Sequence, residues 1–234
     1  MRDLGGPSGA GSTGPSSAHS VIALVSTKGG VGKTTLSGHI AVEAERQGAG
    51  PVALVDMDPQ GSLSHWWNAR EQQTPVFIDS TRDRIESDLE KIEDLGVRLT
   101  IIDTPPSPTE VIEAAARVAD LVIIPLRAGP HDMRTIPATL SVVERFGKPV
   151  VFVLNGAIVG ARITNEAISL LSQYGPLAPV MHQRVDYATS MIDGRTAMEI
   201  RTMSPAIEEI RTFWVYIQRR LGTFDILPLQ RALA

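Results

Sequence analysis

The residues Lys28-Gly29-Gly30-Val31-Gly32-Lys33-Thr34-Thr35 have the types and spacing needed to hold a chain of phosphates. Phosphate binding needs several backbone N–H groups aimed at one point, with a helix N-terminus behind them. Gly29, Gly30 and Gly32 let the backbone wrap closely because no side chain obstructs it, and Val31 adds one more N–H. Lys33 is placed to reach the β- and γ-phosphates and Thr34 to offer its hydroxyl to magnesium, with Thr35 near the α-phosphate. The ordinary motif opens on a glycine, separated by four residues from its Gly-Lys pair. Here Thr27 occupies that place and an additional lysine, Lys28, follows it. The chain has only four lysines, and two of them lie in this loop.

Carboxylates end several apolar runs. Ile101-Ile102-Asp103-Thr104-Pro105-Pro106 delivers one acid from an apolar segment, and Asp103 would hold magnesium through a water. A hard cation between β- and γ-oxygens takes oxygen ligands and keeps several waters. Val55-Asp56-Met57-Asp58-Pro59-Gln60 presents two acids in the same way. Taken alone, Asp58-Pro59 also reads as a turn that caps the following helix. Asn155-Gly156 likewise carries a plain turn signal.

These residues need a frame that brings them together. Short apolar runs at Val21–Val25, Val52–Val55, Val76–Ile78, Leu99–Ile102, Leu121–Ile124 and Val150–Leu154 read as six strands, most of them covered on both faces. Leu36, Ile40 and Ala44 set a helical spacing after the phosphate loop. Further helices are expected near 62–72, 82–95, 108–119, 131–146, 162–174 and 205–220. Strands alternating with helices imply right-handed crossovers. The fold class is therefore α/β: a doubly wound, mainly parallel sheet with helices on both faces. Ligands of such sheets bind beyond the carboxyl ends of the strands, where Lys28, Asp56, Asp58, Asp103, Pro125 and Asn155 all fall. Trp66-Trp67 lies in an expected helix and reads as a core or dimer contact.

Residues 1–20 are rich in Gly, Ser and Pro and read as a disordered tail, residues 21–220 as one phosphate-loop domain, and 221–234 as a second tail. With 234 residues and 43% hydrophobic content, one large core can form. The formal charge is −4, so any nucleic-acid contact needs a local basic patch. There is no cysteine, which excludes disulfides, thiolate metal sites and iron–sulfur clusters and fits a reducing cytoplasm. The five histidines show no metal-ligand spacing.

The sequence from Lys28 to Thr35, with Asp-x-Asp-Pro-Gln at 56–60 and Asp-x-Pro-Pro at 103–106, resembles the ParA/MinD family of deviant Walker A P-loop ATPases, closest to the short single-domain partition type. The resemblance covers residues 20 to about 220. It implies ATP and Mg2+ as cofactors and slow hydrolysis to ADP and phosphate. It implies that Lys28 reaches across a homodimer to the partner's ATP, that Lys33 and Asp58 serve catalysis with Asp58 orienting the attacking water, and that Asp56 supports the magnesium shell beside Thr34 and Asp103. Pro125 and Asn155 correspond to the adenine pocket.

The same resemblance implies an ATP-bound dimer that binds DNA without sequence preference on the nucleoid. A ParB-like or other small activating adaptor would release it. Candidate phosphate contacts are Arg184, Arg195, Arg201, Arg211, Arg219 and Arg220, with Arg162 as a further one. The 221–234 segment carries Pro228 and only one cation, Arg231, so stable membrane association is not expected. Alternatives are a conjugal-transfer accessory ATPase acting at a DNA transfer origin, a metabolic P-loop enzyme of related fold, and a nucleotide-dependent scaffold.

Overall fold

The structure, a computed structural model, describes residues 19–106 and 109–222. Most of the two expected tails, 1–18 and 223–234, lies outside the described residues. Seven strands form one parallel sheet: β1 (Ser20–Leu24), β2 (Val52–Asp56), β3 (Val76–Asp79), β4 (Leu99–Asp103), β5 (Leu121–Leu126), β6 (Val150–Ala157) and β7 (Met181–His182). Their order is β3-β2-β4-β1-β5-β6-β7, so β1 lies at the centre. The helices are α1 (Lys33–Arg46), α2 (Ser62–Asn68), α3 (Ile85–Asp94), α4 (Thr109–Val118), α5 (Pro130–Met133), α6 (Ile136–Val143), α7 (Arg162–Tyr174), α8 (Val185–Ser190), α9 (Ala197–Ile200) and α10 (Pro205–Leu221).

The strand sequences are apolar at successive positions because both sheet faces are covered. Ile22, Leu24, Leu54, Ile101 and Ile123 pack under α1 and α10. Val21, Ala23, Val55, Ile102 and Val122 share the opposite face with residues of α3, α4 and α6. Helix α10 starts as expected: Ser204 accepts from the Ile207 N–H, and Pro205 fills the first helical position.

Several elements differ from the sequence reading, the short helices α8 and α9 among them, which no expected helix covered. The stretch 131–146 is not one helix but α5, α6 and a 3-10 turn at Glu144–Phe146. Pro137 has no N–H and its ring would clash with the carbonyl four residues back, so it is accommodated only in the first turn of a new helix. Helix α2 stops at Asn68, and Arg70 then leaves the helical path to bind Gly194 O and the Glu199 carboxylate. The seventh strand, β7, was not expected: it has two residues, and its pairing with β6 is interrupted by a bulge between Asn155 and Ala157. The fold also reaches two residues into the expected tail, since Ser20 opens β1 and His19 bonds Thr100 at 2.8 Å.

The register decides which residues meet. Leu24 pairs with Asp103, and Asp103 pairs in turn with Asp56. The end of β1 and both carboxylates therefore share one level at the carboxyl edge of the sheet. Proline is tolerated at 125 because β5 there runs past the last β1 pair, Leu24 with Ile123.

Candidate nucleotide site

Between β1 and α1 the chain makes a tight loop. Gly30 and Gly32 have φ of 73° and 91°, a region that glycine occupies without strain. A side chain at Gly32 is excluded in any case, because its Cβ would stand 2.1 Å from Asn155 Nδ2. Among the described residues, the backbone N–H groups of 29–35 donate to no protein acceptor. The loop carbonyls, in contrast, are held: Lys28 O by Lys33 Nζ at 3.4 Å, Gly30 O by Arg127 Nε at 2.8 Å, Val31 O by Asn155 Nδ2 at 2.7 Å. A ring of free donors at a helix N-terminus is an anion site.

Lys33 is buried, and burial lowers the pKa of its ammonium against the pull of Asp103 and Asp58. Thr34 Oγ1 donates to Asp103 Oδ2 at 2.6 Å. The other oxygen, Asp103 Oδ1, is buried without a partner. Burial pushes this carboxyl up to about 7, because nothing on the protein fully compensates its charge. A hydroxyl beside a half-satisfied carboxylate, next to a phosphate site, fits a hard divalent cation. Among the described residues no group of three His, Asp or Glu could hold a metal, so this cation would complete its shell with phosphate oxygens and water.

Asp56 and Asp58 do different work. Asp56 Oδ1 accepts from the Asp58 N–H at 2.9 Å and Oδ2 from the Ser64 N–H at 3.1 Å. Both oxygens are thus engaged by the loop leading to α2, and burial raises the Asp56 pKa. Asp58 lines a cleft of about 530 Å³ together with Gly30, Lys33, Thr34 and Thr104. Thr104 itself is fixed by its hydroxyl bond to Leu24 O at 2.8 Å.

Lys28 stands on the open side of the loop with 37% of its side chain exposed, and its ammonium is paired with Asp132 of α5. A second cleft, of about 700 Å³, is lined by Gly32, Thr35, Arg127, Asn155, His182 and Arg184. Gly32 and Thr35 border both clefts, so one groove runs from Asp58 across the helix N-terminus to Asn155. Pro125 is buried inside β5 and lines neither cleft.

The candidate DNA arginines are dispersed and mostly engaged. Arg184 pairs with Glu209 at 2.7 Å, Arg195 with Asp193 at 2.6 Å, Arg201 with Asp186 at 2.8 Å and Arg162 with Glu166 at 2.7 Å. Arg211 approaches the buried Glu43 at 3.8 Å, Arg220 stacks over Tyr216, and Arg219 also has a partner. Arg201 and Arg211 meet with Arg46 around one cleft of about 670 Å³. Arg46 and Asp132 have no signal in the sequence; only the fold brings Arg46 to a cleft and Asp132 to Lys28. Trp66 packs on Gly38, donates to Arg195 O at 3.0 Å and is a core residue, while Trp67 is half-buried and stacks on Phe77 against the core.

The family model of the CobQ/CobB/MinD/ParA nucleotide binding domain matches residues 22–198. Maintenance of carboxysome distribution protein A of Halothiobacillus neapolitanus is 27% identical over 191 residues, covering 76% of this chain and 87% of that protein. Protein ParA of Rhizobium radiobacter is 28% identical over 218 residues, covering 86% and 97%. Among solved structures, the septum site-determining protein MinD of Pyrococcus horikoshii complexed with Mg-ADP superposes with a TM-score of 0.71 at 15% identity, covering 88% of this chain and 98% of that one. The chain belongs to the CobQ/CobB/MinD/ParA nucleotide-binding family and is a P-loop ATPase of its ParA/MinD branch.

Proposed function

We propose that this ATPase positions a cargo on DNA, with ATP driving a sandwich dimer that binds DNA without sequence preference and hydrolysis releasing it. The observation that carries this reading is Lys28. The protein already has a phosphate-binding lysine, Lys33, buried behind the loop. A second ammonium on the open side, with a flexible stem and one tether at Asp132, is suited to a phosphate on another subunit. A cation supplied in trans stabilises charge on the transferring phosphoryl group and makes assembly depend on ATP.

Within one subunit, the free N–H groups of residues 29–35 and Lys33 bind the phosphates. Thr34 and Asp103 would hold magnesium, which would supply positive charge to offset that of the phosphates. Asp56 folds the loop that holds Asp58 over the cleft, and Asp58 orients the attacking water. Asn155 and the cleft beside it receive the base end. The DNA-binding face centres on Arg201 and Arg211, joined by Arg46. A ParB-like or other small adaptor stimulates hydrolysis. The relatives bear the names of a carboxysome distribution protein and of ParA, which supports a cargo-positioning role on the nucleoid.

Sedimentation of the full chain with ATP, ADP or no nucleotide, with and without random-sequence duplex DNA, tests this. The expected result is a dimer and DNA association with ATP only. DNA binding independent of nucleotide, or a monomer at all ATP concentrations, overturns it.

A further inference from the structure

We infer that Arg127 is a positioning residue of the phosphate loop, fixing the Gly30–Val31 peptide so that the Val31 N–H faces the phosphates. The sequence gives no hint of this, because Arg127 lies 97 residues from the atom it binds. A loop with Gly29, Gly30 and Gly32 can turn its peptide planes at little cost, since glycine occupies positive and negative φ about equally. An array of N–H groups that must converge on one anion cannot be left to such a loop. The orientation has to be imposed from outside.

The structure shows how. The only cis bonds among the described residues are Gly50-Pro51 and Thr74-Pro75, so the loop peptides are trans. In a trans peptide the C=O and the next residue's N–H point in opposite directions. Arg127 Nε donates to Gly30 O at 2.8 Å, which turns the Val31 N–H the other way, toward the anion site. Asn155 Nδ2 repeats the device one peptide later: it holds Val31 O at 2.7 Å and so directs the Gly32 N–H. Neither N–H has a protein acceptor among the described residues. Arg127 reaches the loop by passing over Gly156, where an added Cβ would lie 3.7 Å from its Cζ. Its own N–H points to Asp132 Oδ1 at 3.4 Å.

The guanidinium therefore acts on the back of the loop and not on the nucleotide. A charged donor makes a stronger hydrogen bond to a carbonyl than a neutral one, which suits it to hold Gly30 O near solvent. The role rests on the nucleotide reading of the loop, and the experiment separates the two.

Calorimetric titration of the full chain with ADP and with inorganic tripolyphosphate, both with magnesium, would compare native protein, Arg127→Ala, Arg127→Lys and Lys33→Ala. Arg127→Ala is expected to weaken both ligands about tenfold, the low end for losing a charged hydrogen bond near solvent. Arg127→Lys, which keeps a donor, should recover most of that loss. In proton–nitrogen spectra, the ADP-induced shift of the Val31 amide should shrink in Arg127→Ala while that of Thr34 persists. Native-like ADP affinity in Arg127→Ala overturns the positioning role. So does a loss for ADP with tripolyphosphate unchanged, which would make Arg127 a contact to sugar or base. An unaltered Val31 shift overturns it too, by pointing to a direct phosphate contact. If Lys33→Ala binds both ligands like the native protein, the phosphate-loop reading itself fails.

Discussion

Replacing Asp132 by asparagine should strengthen ATP-dependent dimerisation. In the monomer Lys28 is bound to Asp132, so the lysine must leave this carboxylate before it can serve a partner. Asparagine keeps the shape and an oxygen facing the Arg127 N–H, but removes the charge that holds Lys28. A charged hydrogen bond contributes about 1.5–3 kcal/mol when well shielded. Here Lys28 is 37% exposed and Asp132 6%, so water competes and about 1 kcal/mol per subunit is the better figure. Two such contacts break per dimer, about 2 kcal/mol in all, which corresponds to a dimer dissociation constant lower by about 30-fold. Equilibrium sedimentation with a non-hydrolysable ATP analogue reads this directly. A dissociation constant that is unchanged or higher in Asp132→Asn would refute the tether argument, because Asp132 would then not oppose the assembled state.

Three further outcomes follow from the same geometry. Arg70 is 3% exposed, binds Glu199 at 2.8 Å and lies over the Trp66 ring, so Arg70→Met should destabilise the fold by about 3–5 kcal/mol through the acid left behind, as read by urea unfolding. His39 is buried, its Nε2 accepts from the Ala197 N–H at 3.1 Å, and burial lowers its pKa from 6.5 to about 4. The unfolded chain takes up this proton first as pH falls, so the stability that His39 contributes above pH 6.5 should decline by up to about 3 kcal/mol toward pH 4; the Asp103 carboxyl, pushed up to about 7, acts in the opposite sense, so the reading is the difference between native protein and His39→Gln over this range. Arg201→Ala with Arg211→Ala should weaken DNA association without altering ATP affinity, and the salt dependence of binding should become shallower by about two charges per subunit.

Much of the site could be read from the sequence because its chemistry is local. The phosphate loop, the acids at 56, 58 and 103, and the strands that carry them are contiguous segments. Their apolar runs mark strands covered on both faces, and the register confirms that Asp56 and Asp103 share one level. Local pattern fails where the structure depends on distant partners. Strand β7 has two residues and no period to detect; its pairing comes from the bulged end of β6. The stretch 131–146 has helical composition, and Pro137 breaks it. The arginines from 184 to 220 are singled out by the family resemblance rather than by a charge excess of the segment; Glu209, Asp193 and Asp186 engage three of them, and only the folded chain brings Arg46 beside Arg201 and Arg211. Asn155, expected at the base, also has its amide on Val31 O, a contact that spans 124 residues. Asp132, the partner of Lys28, lies in the four-residue helix α5 with no motif of its own.

The central claim is that Lys28 acts on the ATP of the other subunit. Mixing two inactive proteins tests it most directly. Lys28→Ala keeps its own phosphate loop and Asp58 but has no lysine to offer; Asp58→Ala offers Lys28 but cannot orient water. In a mixed dimer, the site of the Lys28→Ala subunit would receive Lys28 from its partner and use its own Asp58. Phosphate release should therefore be negligible for each protein alone and reappear when they are combined with ATP and DNA. A mixture as inactive as its components, or a Lys28→Ala protein that hydrolyses ATP at the native rate, would contradict a lysine acting in trans.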